Sequence, residues 1–177
     1  MYKLAPLAFA LLICFGCGDD QFDSKDIPED VLLDIDQDGS ADFRVAYSIQ
    51  TSGDPIGNYK RVRMNLESIA TEQVLVHDTE QPLFLEDSDL IQTQVNLPLY
   101  WETTSPSENV SFPIAMIRTE YDEVTWNDSW SVFSFEEKES YLIGVKLVES
   151  STSRLGFLQF SVDTQTGEFI LLKAELL

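Results

Sequence analysis

Asp42-Phe-Arg-Val-Ala-Tyr-Ser-Ile-Gln50 alternates apolar and polar side chains with a period of two. Phe43, Val45, Tyr47 and Ile49 fall on one face, and Arg44, Ser48 and Gln50 fall on the other. A helix would spread the apolar set around its circumference, whereas a pleated strand gathers it on one side. The apolar face is aromatic and β-branched, the composition that suits a half-buried sheet surface. The stretch therefore predicts a strand lying on a core.

The same period extends outward. Val31-Leu-Leu-Asp-Ile-Asp36 precedes it, and Tyr59–Ser68 sets Val62, Met64 and Leu66 against Arg61, Arg63 and Asn65. Short apolar runs follow at Val74–Val76, Leu90–Val95 and Phe112–Ile117. Tyr141–Val148 and Gly156–Val162 are separated by the polar stretch Glu149–Arg154. Asp163-Thr-Gln-Thr-Gly-Glu168 then reads as a turn into Phe169–Ala174. Gly53-Asp-Pro-Ile-Gly57 also reads as a turn. Asn65–Thr71 has the makings of one helical turn, and residues 100–111 read as a long surface loop. No longer segment carries a capped 3.6-residue period. Roughly eight or nine short strands at spacings of about 8–12 residues predict an all-β fold. The expectation is a single domain over 31–177, an antiparallel two-sheet sandwich of jelly-roll or Ig-like type.

Between the first two strands lies Asp34-Ile-Asp36-Gln-Asp38-Gly39-Ser40-Ala41-Asp42. Carboxylates at alternate positions with Gly in the sixth place match an oxygen-ligated Ca²⁺ loop, in which side chains 1, 3 and 5 converge with a carbonyl from position 7. Those positions are Asp34, Asp36, Asp38 and the Ser40 carbonyl, with Asp42 at the ninth. Position 12 is Val45, so the bidentate Glu of an EF-hand is missing and strands replace its helices. Without that ligand the expected affinity is that of extracellular modules, on the order of 10⁻⁴–10⁻³ M. The other reading is an acidic hairpin turn in which Asp38-Gly39 serves only the backbone.

The charge balance bears on partners. The chain has 177 residues, 31 Asp+Glu against 11 Lys+Arg, and a net charge of −20. This excludes a basic nucleic-acid footprint and side-chain docking on anionic lipid. At 44% hydrophobic residues the chain has material for a core.

Lys3 followed by the apolar run Leu4–Phe15 is too short to span a bilayer and has the form of a secretory signal. Gly16-Cys17 and Gly18-Asp19-Asp20 come next and resemble the lipobox of bacterial lipoproteins. The resemblance implies a signal peptide over 1–16, lipidation of Cys17 and an acidic tether over 17–30. It also implies a membrane-anchored lipoprotein of a Gram-negative cell envelope, with the outer membrane as the expected address. Cleavage without lipid and an uncleaved short anchor are the alternatives. Cys14 and Cys17 are the only cysteines, so a mature chain would hold no disulfide.

The loop Asp34–Asp42 between Val31-Leu-Leu and Phe43-Arg-Val, together with Tyr141-Leu-Ile-Gly-Val-Lys-Leu and Leu155-Gly-Phe-Leu-Gln-Phe-Ser-Val-Asp163, is similar to a group of uncharacterised exported bacterial proteins. That group pairs an N-terminal D-x-D-G hairpin with a C-terminal Y-G-W hairpin, and Leu155-Gly156-Phe157 stands here in place of Tyr-Gly-Trp. The resemblance implies a secreted or lipid-anchored β-sandwich and no particular activity.

Residues able to carry catalysis are sparse. His77 is the single histidine and reads as structural, beside Asp78 at a strand end. No Gly-x-Ser-x-Gly elbow or Gly-rich phosphate loop occurs. Asp122-Glu123 and Glu136-Glu137 are the carboxylate pairs a glycan hydrolase would need. Trp126-Asn-Asp-Ser-Trp130 and Tyr100-Trp101 carry the main alternative, a carbohydrate-binding module with Trp101, Trp126 and Trp130 against sugar faces. Core packing of the same rings is the competing reading. The expectation is a non-enzymatic structural or adhesive protein with a glycan or envelope-protein partner.

Overall fold

A computed structural model describes residues 27–51, 60–77, 81–86, 91–92, 95–104, 112–121, 126–134, 136–149 and 152–177. The described residues form twelve strands in two sheets, each pairing antiparallel. The first sheet has the order β1 (Val31–Leu33), β2 (Phe43–Thr51), β3 (Lys60–Ser68), β8 (Phe112–Tyr121), β9 (Trp126–Val132). The second runs β12 (Phe169–Leu176), β11 (Ser153–Val162), β10 (Tyr141–Val148), β4 (Gln73–His77), β5 (Gln81–Pro82). Two short strands join it, β6 (Phe84–Leu85) on β10 and β7 (Leu99–Glu102) on β4. The all-β two-sheet sandwich expected from the alternation is the fold observed.

Alternation decides which side chains meet between the sheets. Phe43, Val45, Val62, Met64, Leu66, Phe112 and Ile114 from the first sheet join one buried cluster with Val74, Val76, Tyr141, Ile143, Val145, Leu158 and Phe160 from the second. Val74, Leu75 and Val76 are all fully buried, although neighbours on a strand face opposite ways. Leu75 belongs to a second cluster with Leu85, Ile91 and Phe157, backed by Leu83, Leu99 and Trp101. The second sheet is thus covered on both faces near β4 and β10, which accounts for an unbroken apolar run there. Gly144 permits this closeness, since a Cβ at that position would stand 3.2 Å from Leu75 Cβ.

Three local expectations are corrected. Asn65–Thr71 holds no helical turn: β3 continues to Ser68, opposite Phe43, and Ser68 Oγ then donates to Glu72 O at 2.7 Å. The expected loop 100–111 begins inside a strand, because Tyr100 and Trp101 pair with Val76 and Leu75; residues 105–111 lie outside the described residues. Among the described residues of Leu90–Val95, none is in a strand, and Ile91 instead plugs the second cluster. The Gly53–Gly57 turn lies outside the described residues.

Candidate metal centre

The acidic loop is fixed at its base. Val31 and Leu33 pair with Val45 and Phe43, and Asp42 N–H donates to Leu33 O at 2.8 Å. Ile35 is 5% exposed and joins the main core, so it anchors the loop from below. With Ile35 turned inward, its neighbours Asp34 and Asp36 are turned away from the core, the arrangement Asp-x-Asp spacing produces in extended chain. Asp42 closes the far side, accepting Ile35 N–H on Oδ2 at 2.7 Å.

The tip turns through two residues of positive φ, Gln37 at 61° and Gly39 at 94°. Gly takes that conformation without a Cβ clash. The loop's own N–H groups point at its carboxylates. Asp34 accepts from Asp38 at 3.2 Å and from Gly39 at 2.9 Å, and Asp36 also accepts from Asp38 at 3.2 Å.

Asp34, Asp36 and Asp42 each bring one carboxylate oxygen within 4.8 Å of the others, and together they could hold a metal ion. Asp38 lies outside this group; its Oδ1 accepts Ser40 N–H at 2.7 Å, a turn contact. Three of the four expected carboxylates therefore converge. Hard oxygen donors of this kind suit Ca²⁺ or Mg²⁺, with Ca²⁺ needing 6–8 oxygens and so several from main chain or water.

Arg154, from β11, completes the centre. Its Nη2 donates to Asp36 Oδ2 and lies 2.7 Å from Glu149 Oε1, while its Nε is buried without a hydrogen-bond partner among the described residues. The hydrogen bond from Arg154 holds the Asp36 carboxyl below the usual carboxylate range. Asp42 is shifted the other way, because burial pushes its carboxyl up against the opposing Ile35 hydrogen bond. No sequence motif marks Arg154. Its one legible feature is that it is the sole cation in the connector Glu149–Arg154.

No family model, curated protein or solved structure matches the chain.

Trp101 and Trp130 do not share a surface. Trp130 is 4% exposed, within the main core, and meets Tyr47 edge-on with ring centroids 5.8 Å apart. That corrects the expectation of an exposed ring: inward register on β9 takes Trp130 out of reach of a ligand. Trp101 packs at the second cluster on the other face of the sheet, its Nε1 donating to Gln92 O at 3.1 Å and Lys146 Nζ lying 5.8 Å from the ring centroid. The Trp126 backbone pairs with Tyr121; its side chain lies outside the described residues. Glu136 and Glu137 are exposed, and His77 ends β4 opposite Leu99. Cys17, residues 1–26 and Asp122-Glu123 lie outside the described residues.

Proposed function

We propose that the chain is an exported β-sandwich tethered to a Gram-negative cell envelope through lipid at Cys17. In this reading its first loop takes Ca²⁺, and its role is structural or adhesive rather than catalytic. The observation that carries the ion site is the convergence of Asp34, Asp36 and Asp42 on one point at the mouth of the β1–β2 hairpin. Three carboxylates this close repel one another, and a divalent cation removes that cost. Support for the address comes from the sequence: a cation, an apolar run, and a Gly-Cys step into acidic residues.

The ion's effect on the fold is modest. Binding only to the folded state stabilises it by RT ln(1+[L]/Kd), which at millimolar calcium and the affinity of extracellular loops is about 0.5–1.5 kcal/mol. That orders a hairpin without creating the fold.

The test is a calcium titration of the chain by calorimetry and thermal melting, beside an Asp34→Asn/Asp42→Asn variant that keeps side-chain volume. Saturable heat and a raised Tm, both lost in the variant, are expected. Absence of heat at about 10 mM calcium, well above the affinity range of such loops, would reduce the motif to a backbone turn.

A further inference from the structure

The second sheet ends at β12, and among the described residues no strand pairs with its outer edge. The edge is long and apolar. Ile170, Leu171 and Leu172, on this eight-residue strand, and Leu177 just past its end are each more than 40% exposed. Exposed hydrophobic edges of this length pair with other chains unless something prevents it.

The edge also reads as its own complement. About Ala174 the sequence is Leu171-Leu172-Lys173-Ala174-Glu175-Leu176-Leu177, a palindrome in which Lys and Glu exchange places. Leu177 N–H donates to Leu155 O at 2.8 Å, and Leu155, Phe157 and Gln159 face Leu177, Glu175 and Lys173 in register. The hydrogen-bonding groups of those odd positions therefore point at β11, and those of Ala174 and Leu176 point outward, where no strand of the described residues pairs with them. Lys173 and Glu175 already form an ion pair on one face, where Lys173 Nζ also sits 5.2 Å from the Phe157 ring centroid.

We propose that β12 is a self-recognition edge, pairing antiparallel with β12 of a second copy about a two-fold axis at Ala174. Lys173 then faces Glu175 of the second copy, and symmetry makes that contact twice. Leu172, the residue at which β12 bulges out of the β11 register, then faces Leu176 of the other chain, and Leu171 faces Leu177. A lysine on an edge ordinarily deters pairing. Here a glutamate two residues on turns the deterrent into a register mark, because slipping by two residues along the strand destroys both charge pairs. The net charge of −20 on each copy opposes association at long range. At about 0.15 M salt the screening length is about 8 Å, so the dimer should tighten as salt rises from low values.

The test is sedimentation velocity of the full chain in non-ionic detergent, native and with Lys173→Glu, with Glu175→Lys, with both in one chain, and with the two single variants mixed. A native dimer is expected. Each single exchange sets like charges opposite and should weaken association on the order of tenfold or more. The mixture and the double exchange restore opposite charges and should restore the dimer. A native monomer overturns the proposal, as does a dimer that both single variants retain, which would place the contact elsewhere. Single variants that dissociate without rescue overturn the register. Should a single exchange unfold the domain on melting, the double exchange decides alone, dimer supporting and monomer refuting.

Discussion

Arg154 on β11 donates to Oδ2 of Asp36, tying the first loop to a strand 118 residues later in the chain. The guanidinium thus occupies the positive end of a centre that a divalent cation would also satisfy. Asp36 favours the folded state while it is ionised. Its folded value is lowered, so that contribution is present above the unfolded carboxylate value near 4 and is lost as pH falls through the folded one.

Removing the guanidinium separates its two effects. Arg154→Met should lower the melting temperature without calcium, since Asp36 loses its partner. The same variant should bind calcium more tightly, by up to about fivefold, the range a surface ion pair spans when it no longer competes. Calorimetry on native and variant chains measures both. Weaker binding in the variant would instead make Arg154 a support that holds the loop open for the ion.

Gly167 stands against the Trp130 ring: a Cβ there would lie 2.0 Å from Cε2, and the residue has φ of 75°. Gly167→Ala should destabilise the domain by about 2–4 kcal/mol, through left-handed backbone strain and overpacking together. Urea unfolding followed by tryptophan emission reads the change. A loss under about 0.5 kcal/mol, the range of ordinary surface substitutions, would show that the turn yields freely.

Trp130→Ala should cost about 3–5 kcal/mol as a large core ring is lost. Trp101→Ala, at a half-buried position, should cost less. Because Trp130 is buried, any loss of glycan binding in its variant has to be judged against its loss of fold. Melting curves of both variants establish the order, and a Trp130 variant as stable as the native chain would contradict the packing described above.

Phe43–Tyr47 and Val62–Leu66 announced their strands because alternate residues turn to the core, whereas Ile49 at the far end of β2 is 47% exposed. In Tyr141–Val148 the buried residues Tyr141, Ile143, Val145 and Leu147 still alternate, although β10 is covered on both faces. The two-residue strands β5 and β6 carry no period, being too short to show one, and β7 was hidden where Tyr100-Trp101 resembled a loop with aromatics. At the metal centre, Asp34, Asp36 and Asp42 were legible from spacing alone. The exclusion of Asp38 was not, since it depends on which N–H groups the turn presents. Arg154 was illegible because its role comes from the hairpin pairing Leu147 with Arg154, which brings the connector back over the first loop.

Lipidation at Cys17 predicts a mass shift and a solubility change. Expressed in a Gram-negative host with an alkyne fatty acid, the native chain should take the label and partition into detergent. Cys17→Ser should lose both, whereas Cys14→Ser, inside the segment expected to be removed, should keep them. Labelling that persists in Cys17→Ser would move the anchor elsewhere.

Tyr47 supplies a test at the alkaline end. Its hydroxyl donates to Gly167 O at 2.9 Å, beside Trp130, and burial pushes the phenol up to about 12. In the unfolded chain it ionises near 10. Between those values the folded protein keeps a proton that the unfolded chain releases. Stability from this group is therefore whole below about pH 10 and drains away as pH rises toward 12. Tyr47→Phe has no proton to lose. It should be about 1 kcal/mol less stable than the native chain at neutral pH, for the hydrogen bond given up. Its melting temperature should then fall less steeply between about pH 10 and 12, so the two curves converge. Parallel curves over that range would mean that the phenol ionises as freely in the fold as outside it.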